Sequence, residues 1–351
     1  MRDCLSARAH DRMIDERALT ESSVSPVRGK QLSRSRHLVM PEAHPLLDMF
    51  GAALNAENVA GLRAMMKTMI ESMPPPAEDG VKVEERRIPG PAGAPQVRVL
   101  VYTPPGLAGP LPVHLDIHGG GYIAGSADID NVLCRQMCVA VGCAVVSVDY
   151  RLAPEVRYPG ALEDCYAALQ WVHREGAALG FDVTRISCGG ESAGGGHCAA
   201  MAILARDRGG PKILFQLLGQ PMLDDRTGST SEPHPYTGEF VWTPELNRIG
   251  WTSLLGVEAG SAAVPARAVP ARVEDLSGLP PTFIVVGALD LFVEEAIEYA
   301  RRLMRAGVPT ELHVLPGAFH GSASIVPGAP VSVAYFNLQY EALKQALSSA
   351  R

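Results

Sequence analysis

The chain has 351 residues, a formal net charge of −7, 47% hydrophobic and 20% charged residues. That length holds about two domains' worth of sequence, or one α/β domain carrying an insertion, and the near-average composition excludes a disordered, collagen-like or low-complexity chain. The acidic balance leaves no basic footprint for nucleic acid, no run approaches the roughly 18 apolar residues that span a bilayer, and the charged first 17 residues carry no apolar signal core, so the expected compartment is the cytoplasm.

Residues 1–36 mix charges without helical period, and residues 1–39 read as a disordered tail. From Met40 the pattern changes: Leu46, Leu47, Phe50 and Leu54, then Val59, Leu62, Met65, Met66, Met69, Ile70 and Met73 recur at three- and four-residue intervals, which predicts two amphipathic helices. Pro74, Pro75 and Pro76 stop the second, because proline lacks the N–H and restricts the residue before it. Six of the twelve methionines lie in 40–73; ordinary helix packing explains them, and flexible thioethers also suit an adaptable apolar surface.

Strand-type runs follow at 81–88, 97–102, 113–117 and 144–148, each bounded by glycine or proline. A helix is expected over 159–176, a short strand at 185–188, a helix over 197–208, strands at 213–218 and 282–286, a helix over 293–306 and a strand at 311–315. This alternation predicts an α/β fold with a mostly parallel sheet covered on both faces. Residues 221–272 break the rhythm, yet carry Val241, Trp242, Leu246, Ile249, Trp251, Leu254 and Leu255. A long irregular insertion of this kind is usually functional, and with the N-terminal helices it forms a candidate lid. The seven cysteines are odd in number and lack a C-x-x-C pair, so they read as buried reduced thiols; Cys134 and Cys138 share a helix face without a second ligand pair, and no metal is expected.

The chemistry concentrates in Gly190-Glu191-Ser192-Ala193-Gly194, a G-x-S-x-G run between a strand and a helix. A sharp turn there crowds backbone and side chains, and flanking glycines relieve the clash while leaving the Ser192 hydroxyl exposed as a candidate nucleophile. A serine hydroxyl needs a base, and the base needs an orienting carboxylate. Asp290 follows the run 282–286, and His320 follows 311–315. Loops after consecutive parallel strands converge at one sheet edge, so these two are the candidate acid and base. Glu294 and Asp275 are rival acids; His313, within a strand, and His173, within a helix, are rival bases more often structural. Upstream, His118-Gly119-Gly120-Gly121 follows the buried run 113–117 and resembles the H-G-G-G element that builds the oxyanion hole of lipases and esterases. Gly120, Gly121 and Ala193 are then the candidate amide donors, each such donor being worth about 2.7–4 kcal/mol in the transition state.

With these segments in hand the sequence resembles the hormone-sensitive-lipase family of serine esterases, the bacterial family IV of α/β-hydrolases. The resemblance rests on His118 to Gly121, Asp149-Tyr150-Arg151-Leu152-Ala153-Pro154-Glu155, Tyr158-Pro159-Gly160-Ala161-Leu162-Glu163-Asp164, Gly190 to Gly195, and the Asp290 and His320 segments, and it runs from about residue 81 to the C-terminus. It implies an α/β-hydrolase fold with a helical cap: a catalytic domain of 81–221 and 273–351 and a cap of 40–80 and 222–272. It also implies a carboxylesterase that cleaves short- to medium-chain esters through Ser192, His320 and Asp290, with no metal or organic cofactor. Two positions depart from the family: Glu191 stands where aspartate is usual, and Glu294 where a second aspartate follows the acid. Asp149 to Glu155 is expected to brace loops, Tyr122 to border the substrate pocket, and the outer strand 311–315 to offer a homodimer edge. The competing readings are an amidase, lactonase or xenobiotic ester hydrolase on the same triad, which pocket shape decides, and a non-catalytic receptor like the plant gibberellin receptors, which lack the histidine that His320 supplies here.

Overall fold

Eight strands form a single sheet, and their side chains feed two separate cores, one on each face. The computed structural model describes residues 33–50, 58–72, 78–106 and 109–348. The strands are β1 (Lys82–Ile88), β2 (Val97–Thr103), β3 (Leu111–Ile117), β4 (Ala144–Asp149), β5 (Phe181–Glu191), β6 (Phe215–Gly219), β7 (Thr282–Gly287) and β8 (Thr310–Leu315). They are ordered β1-β2-β4-β3-β5-β6-β7-β8. β1 and β2, and β2 and β4, pair antiparallel; every pairing from β4 to β8 is parallel. The α/β-hydrolase fold is therefore the observed one.

Val113, Leu115 and Ile117 face one side with Val146, Val148, Ile186, Ile284 and Val286, against helices α4 (Gly160–Glu175), α5 (Ala193–Asp207) and α7 (Val293–Arg305). Tyr102, Val145, Leu217, Phe283 and Val285 face the other side, against α3 (Asn131–Met137) and α9 (Pro330–Ser348). Since both faces are covered, β7 reads as a near-continuous apolar run, whereas β3 alternates Val113, Leu115 and Ile117 with buried His114 and Asp116. α7 places Val293, Ala296, Tyr299, Ala300 and Leu303 inward at helical spacing.

The remaining helices are α1 (His44–Phe50), α2 (Val59–Glu71), α6 (Pro244–Leu255) and the short α8 (Ser322–Ile325). α2 and α6 share one apolar cluster, in which Leu62, Trp242, Leu246, Trp251 and Leu254 meet Tyr122 and Ile123, with Met65 and Met66 packed at its margin. Arg63 fastens α2 to the body. Its Nε donates to Ile123 O at 2.7 Å, its Nη2 to Ala153 O at 2.9 Å, and its two Nη groups to the Glu155 carboxylate at 2.8 Å each. α6 begins on a Thr243 cap, whose hydroxyl accepts from Leu246 N, with Pro244 in its first turn.

The first 32 residues of the expected tail, and Leu54, Met73 and the three prolines after it, lie outside the described residues. Among the described residues the structure differs from the sequence expectation at the tail boundary, the start of α5 and α9. The tail boundary at residue 39 falls late, because Ser35 is fully buried and its hydroxyl and amide bond the Glu239 carboxylate, while Val39 and Met40 pack with Leu289 and Phe319. α5 starts at Ala193 rather than 197, since glycines 194–196, poor helix formers, are required by close packing: a Cβ on Gly194 would lie 1.8 Å from Ile117 O. α9 has no clear apolar period in the sequence. Its inward positions Ser332, Tyr335, Gln339, Leu343 and Leu347 have helical spacing but are half polar, so the apolar stripe is hidden. The six described cysteines are buried and free; Cys134, between the strands and α3, donates to Asp116 Oδ2 at 3.4 Å.

Candidate active site

The chemistry-bearing loops lie at the carboxyl edge of the parallel strands. β5 runs into the elbow, and Ser192 caps α5 with φ 58° and ψ −120°, a left-handed conformation that a serine adopts only at a cost of order 1–3 kcal/mol. The strain is held by Ser192 N donating to Gly219 O at 2.9 Å and by Ser192 O accepting from Met222 N at 3.0 Å. Gly194 lies close against Ile117 O, which brings the end of β3, and the glycine loop after it, up to the elbow.

Asp290 follows β7 and His320 follows β8, and the structure brings both to Ser192. His320 Nδ1 lies 2.8 Å from Asp290 Oδ2, and its Nε2 lies 3.0 Å from Ser192 Oγ. An ionised carboxylate only accepts, so Nδ1 carries the proton and donates, leaving Nε2 to accept from the serine hydroxyl. Asp290 is fully buried, and its Oδ1 accepts from Phe292 N at 2.9 Å. Ser192 and His320 are each 6% exposed. The Phe292 ring stands edge-on to the imidazole at 5.1 Å, and the Trp242 indole lies tilted at 6.1 Å.

The rivals are elsewhere. Glu294 accepts from His234 N, Asp275 from Ser277 N, and His313 is paired with Glu311 on β8. His173 lies in the last turn of α4.

The loop after β3 turns through Gly120 (φ 121°) and Gly121 (φ 61°). At Gly121 a side chain is excluded twice: by the positive φ, and because a Cβ would lie 2.0 Å from the Trp242 indole. Ala193 opens α5, where the first-turn amides have no acceptor inside the helix. His118 holds the loop's base. Its Nδ1 donates to Gly119 O at 2.7 Å, its carbonyl accepts from Tyr150 OH at 2.9 Å, and its ring stacks on Tyr150 at 4.1 Å. Burial pushes its pKa below the usual imidazole value, so it stays neutral. Asp149 accepts from Ala127 N, and Arg151 pairs with buried Asp164, so the segment Asp149 to Glu155 braces the loops as its sequence suggested.

Tyr122 departs from its expected place on the pocket border. It is 2% exposed, its hydroxyl donates to Met222 O at 2.9 Å, and its ring packs on His197 and Trp251. It supports the α6 segment from beneath, because a ring at φ 68° directly after the glycines is turned inward.

Glu191, the residue before the serine, is the hub of a hydrogen-bond network whose partners lie far away in sequence. Its carboxylate accepts from Tyr335 OH on α9, from Gln339 Nε2 at 3.2 Å and from Gln220 Nε2 at 3.1 Å. Gln220 Oε1 in turn accepts from Gly321 N at 2.9 Å, directly after His320. The longer acid fits because Gly219 has no side chain: a Cβ there would lie 2.1 Å from Glu191 Oε1. Burial raises the Glu191 pKa, and the three hydrogen bonds oppose that rise. Glu191→Ala should therefore destabilise the protein by about 3 kcal/mol, because three buried donors lose their acceptor. Urea unfolding measures this, and a change below about 0.5 kcal/mol would deny the network its role.

A hydroxyl hydrogen-bonded to an imidazole, an imidazole held by a buried carboxylate, and a glycine loop close to the elbow make a site suited to acyl transfer. Residues 114–324 match the alpha/beta hydrolase fold family, and the chain belongs to it. It is similar to the esterase LipI of Mycobacterium tuberculosis, 37% identical over 277 residues, which is 77% of this chain and 84% of that one. It is also similar to the carboxylesterase NlhH of the same species, 36% identical over 315 residues, 88% of this chain and 96% of that one. Among solved structures, a bacterial heroin esterase superposes with a TM-score of 0.82 at 39% identity, covering 89% of this chain and 98% of that one.

Proposed function

We infer that the protein, a carboxylic ester hydrolase, works as a serine esterase of the hormone-sensitive-lipase type on short- to medium-chain esters. The observation that carries this is the unbroken chain from Ser192 Oγ through His320 to buried Asp290. His320 Nε2 takes the hydroxyl proton as Oγ attacks the ester carbonyl, and Asp290 stabilises the imidazolium that forms. The amides of Gly120, Gly121 and Ala193 receive the developing oxyanion. Nε2 then returns the proton to the leaving alcohol, and a water activated by the same nitrogen releases the acid from the acyl-enzyme. Serine, histidine and carboxylate suffice for both steps, so no cofactor is assigned.

The segments 40–80 and 222–272 act as the cap, with α2 latched by Arg63 and α6 packed over the glycine loop. Met65 and Met66 on α2, flexible thioethers that adapt to small apolar groups, favour soluble short- to medium-chain esters over insoluble triglyceride. Among the described residues no helix is long and apolar enough to cross a membrane, and the free buried thiols suit the reducing cytoplasm. The test of the activity is turnover of p-nitrophenyl esters from acetate to palmitate. A maximum at short chains, with stoichiometric labelling of Ser192 by a sulfonyl fluoride, is the expected result; labelling at another serine would overturn the assignment.

The partner we assign is a second copy. β8 is an outer strand of the sheet, and Val314 on it, with Ile297 and Met304 on neighbouring α7, is exposed. Light scattering after size exclusion should give twice the chain mass, and Val314→Lys should lower it. A monomer at micromolar concentration would remove this assignment.

A further inference from the structure

An ester that reacts at Ser192 must place its leaving oxygen within hydrogen-bond reach of His320 Nε2, since that atom supplies the proton. Whatever lies beside the imidazole and also reaches the glycine loop therefore lies beside the reacting ester and its alcohol half. Of the two rings beside the imidazole, Phe292 shares the loop of Asp290, and the one that also meets the glycine loop is Trp242. Its ring is tilted against His320 at 6.1 Å and occupies the space that a side chain on Gly121 would need. The indole thus touches both the base and the glycine loop.

Trp242 is held there from three directions. Its Nε1 donates to Asn247 Oδ1 at 3.1 Å, and Asn247, fully buried on α6, donates from Nδ2 to Thr227 O at 2.8 Å. Its amide donates to Phe240 O at 2.7 Å across Val241, which sits at φ 63°. The turn before it is tied down by Gly238 N to Leu289 O and by Glu239 to the amides of Arg34 and Ser35. The ring is 4% exposed. A side chain fixed by its own polar atom, by a left-handed turn residue and by two distant chain segments is a rigid wall, and a rigid wall discriminates by size.

We propose that Trp242 is a specificity-determining residue that limits the bulk of the alcohol half of the ester while leaving the acyl half to other surfaces. The proposal rests on the triad reading above. Small alcohols pass beside the indole to reach His320 Nε2; branched or cyclic ones collide with the ring before the carbonyl reaches Ser192.

Two substrate series separate the halves: ethyl, cyclohexyl and 1-naphthyl acetate vary the alcohol, and ethyl acetate, hexanoate and decanoate vary the acyl group. Trp242→Leu should raise kcat/KM for cyclohexyl acetate relative to ethyl acetate by at least about tenfold, the size of effect that a few carbon atoms produce in an apolar pocket. The hexanoate-to-acetate ratio should move less than about threefold. Trp242→Phe, which keeps a ring in the slot, should move the alcohol ratio part of the way and guards against a fold failure in the smaller variant. An unchanged alcohol ratio, or an acyl ratio that moves as far, overturns the proposal. Ser192→Ala, run on the same esters, distinguishes the two levels: if it retains turnover the triad reading fails, whereas Ser192-dependent turnover with unmoved ratios sinks only the role of Trp242.

Discussion

Ser192→Ala is expected to lower kcat on a simple ester by about 10⁶-fold while leaving the fold intact. Only Oγ is removed, and with it one hydrogen bond, to His320 Nε2. The left-handed backbone at 192 is held by Gly219 O and Met222 N, neither of which involves the side chain, so unfolding free energy should change by no more than about 1 kcal/mol. The residual rate expected is the binding and oxyanion contribution proposed for the amides of Gly120, Gly121 and Ala193. The decisive comparison is with His320→Ala and with the double variant. If the two residues act as one unit, the double variant is no slower than either single one, because a base without a nucleophile, or a nucleophile without a base, contributes nothing. Losses that multiply in the double variant would mean that Ser192 and His320 act in separate steps.

The legible part of this site is the part written locally. Gly190, Ser192 and Gly194 lie in one run because the crowding they relieve is local, and the glycines after His118 are adjacent for the same reason. Asp290 and His320 could be placed because strand ends in a parallel sheet meet at one edge, which turns chain order into proximity. The sheet itself was readable wherever both of its faces are covered, as at 113–117 and 282–286. What stayed hidden depends on segments far apart in sequence. Gln220 is an ordinary polar residue until its amide is seen to join Glu191 to Gly321. Tyr335 and Gln339 sit on a helix whose buried face carries polar residues because that face meets a carboxylate, and the same fact erased its apolar period. Tyr122 looked like a pocket residue from its place after the glycines, yet its partners Met222, His197 and Trp251 all arrive from later segments. In the sequence Trp242 is one apolar residue of the insertion among several, and its position over Gly121 is set by Asn247 and by the turn at Val241.

Asp290→Asn tests the orienting carboxylate with almost no change of shape, and kcat should fall by about 10⁴-fold. The asparagine can still accept from Phe292 N through its carbonyl oxygen, so the loop after β7 keeps its anchor. The amide group then replaces Oδ2 opposite His320 Nδ1, and an amide N–H there demands that Nδ1 accept. The imidazole answers by moving its proton to Nε2, which turns the atom facing Ser192 from an acceptor into a donor. A histidine in that tautomer cannot take the serine proton, although every heavy atom is in place. Loss of charge adds to this, because the imidazolium of the transition state loses its buried counter-ion at 2.8 Å. The fall should appear in kcat far more than in KM, since neither atom touches the bound ester in its ground state. A fall below about tenfold would hand the orienting role to another acid. Glu294 is occupied by the His234 amide and Asp275 by Ser277, so in this fold neither reaches the imidazole without breaking a loop contact of its own.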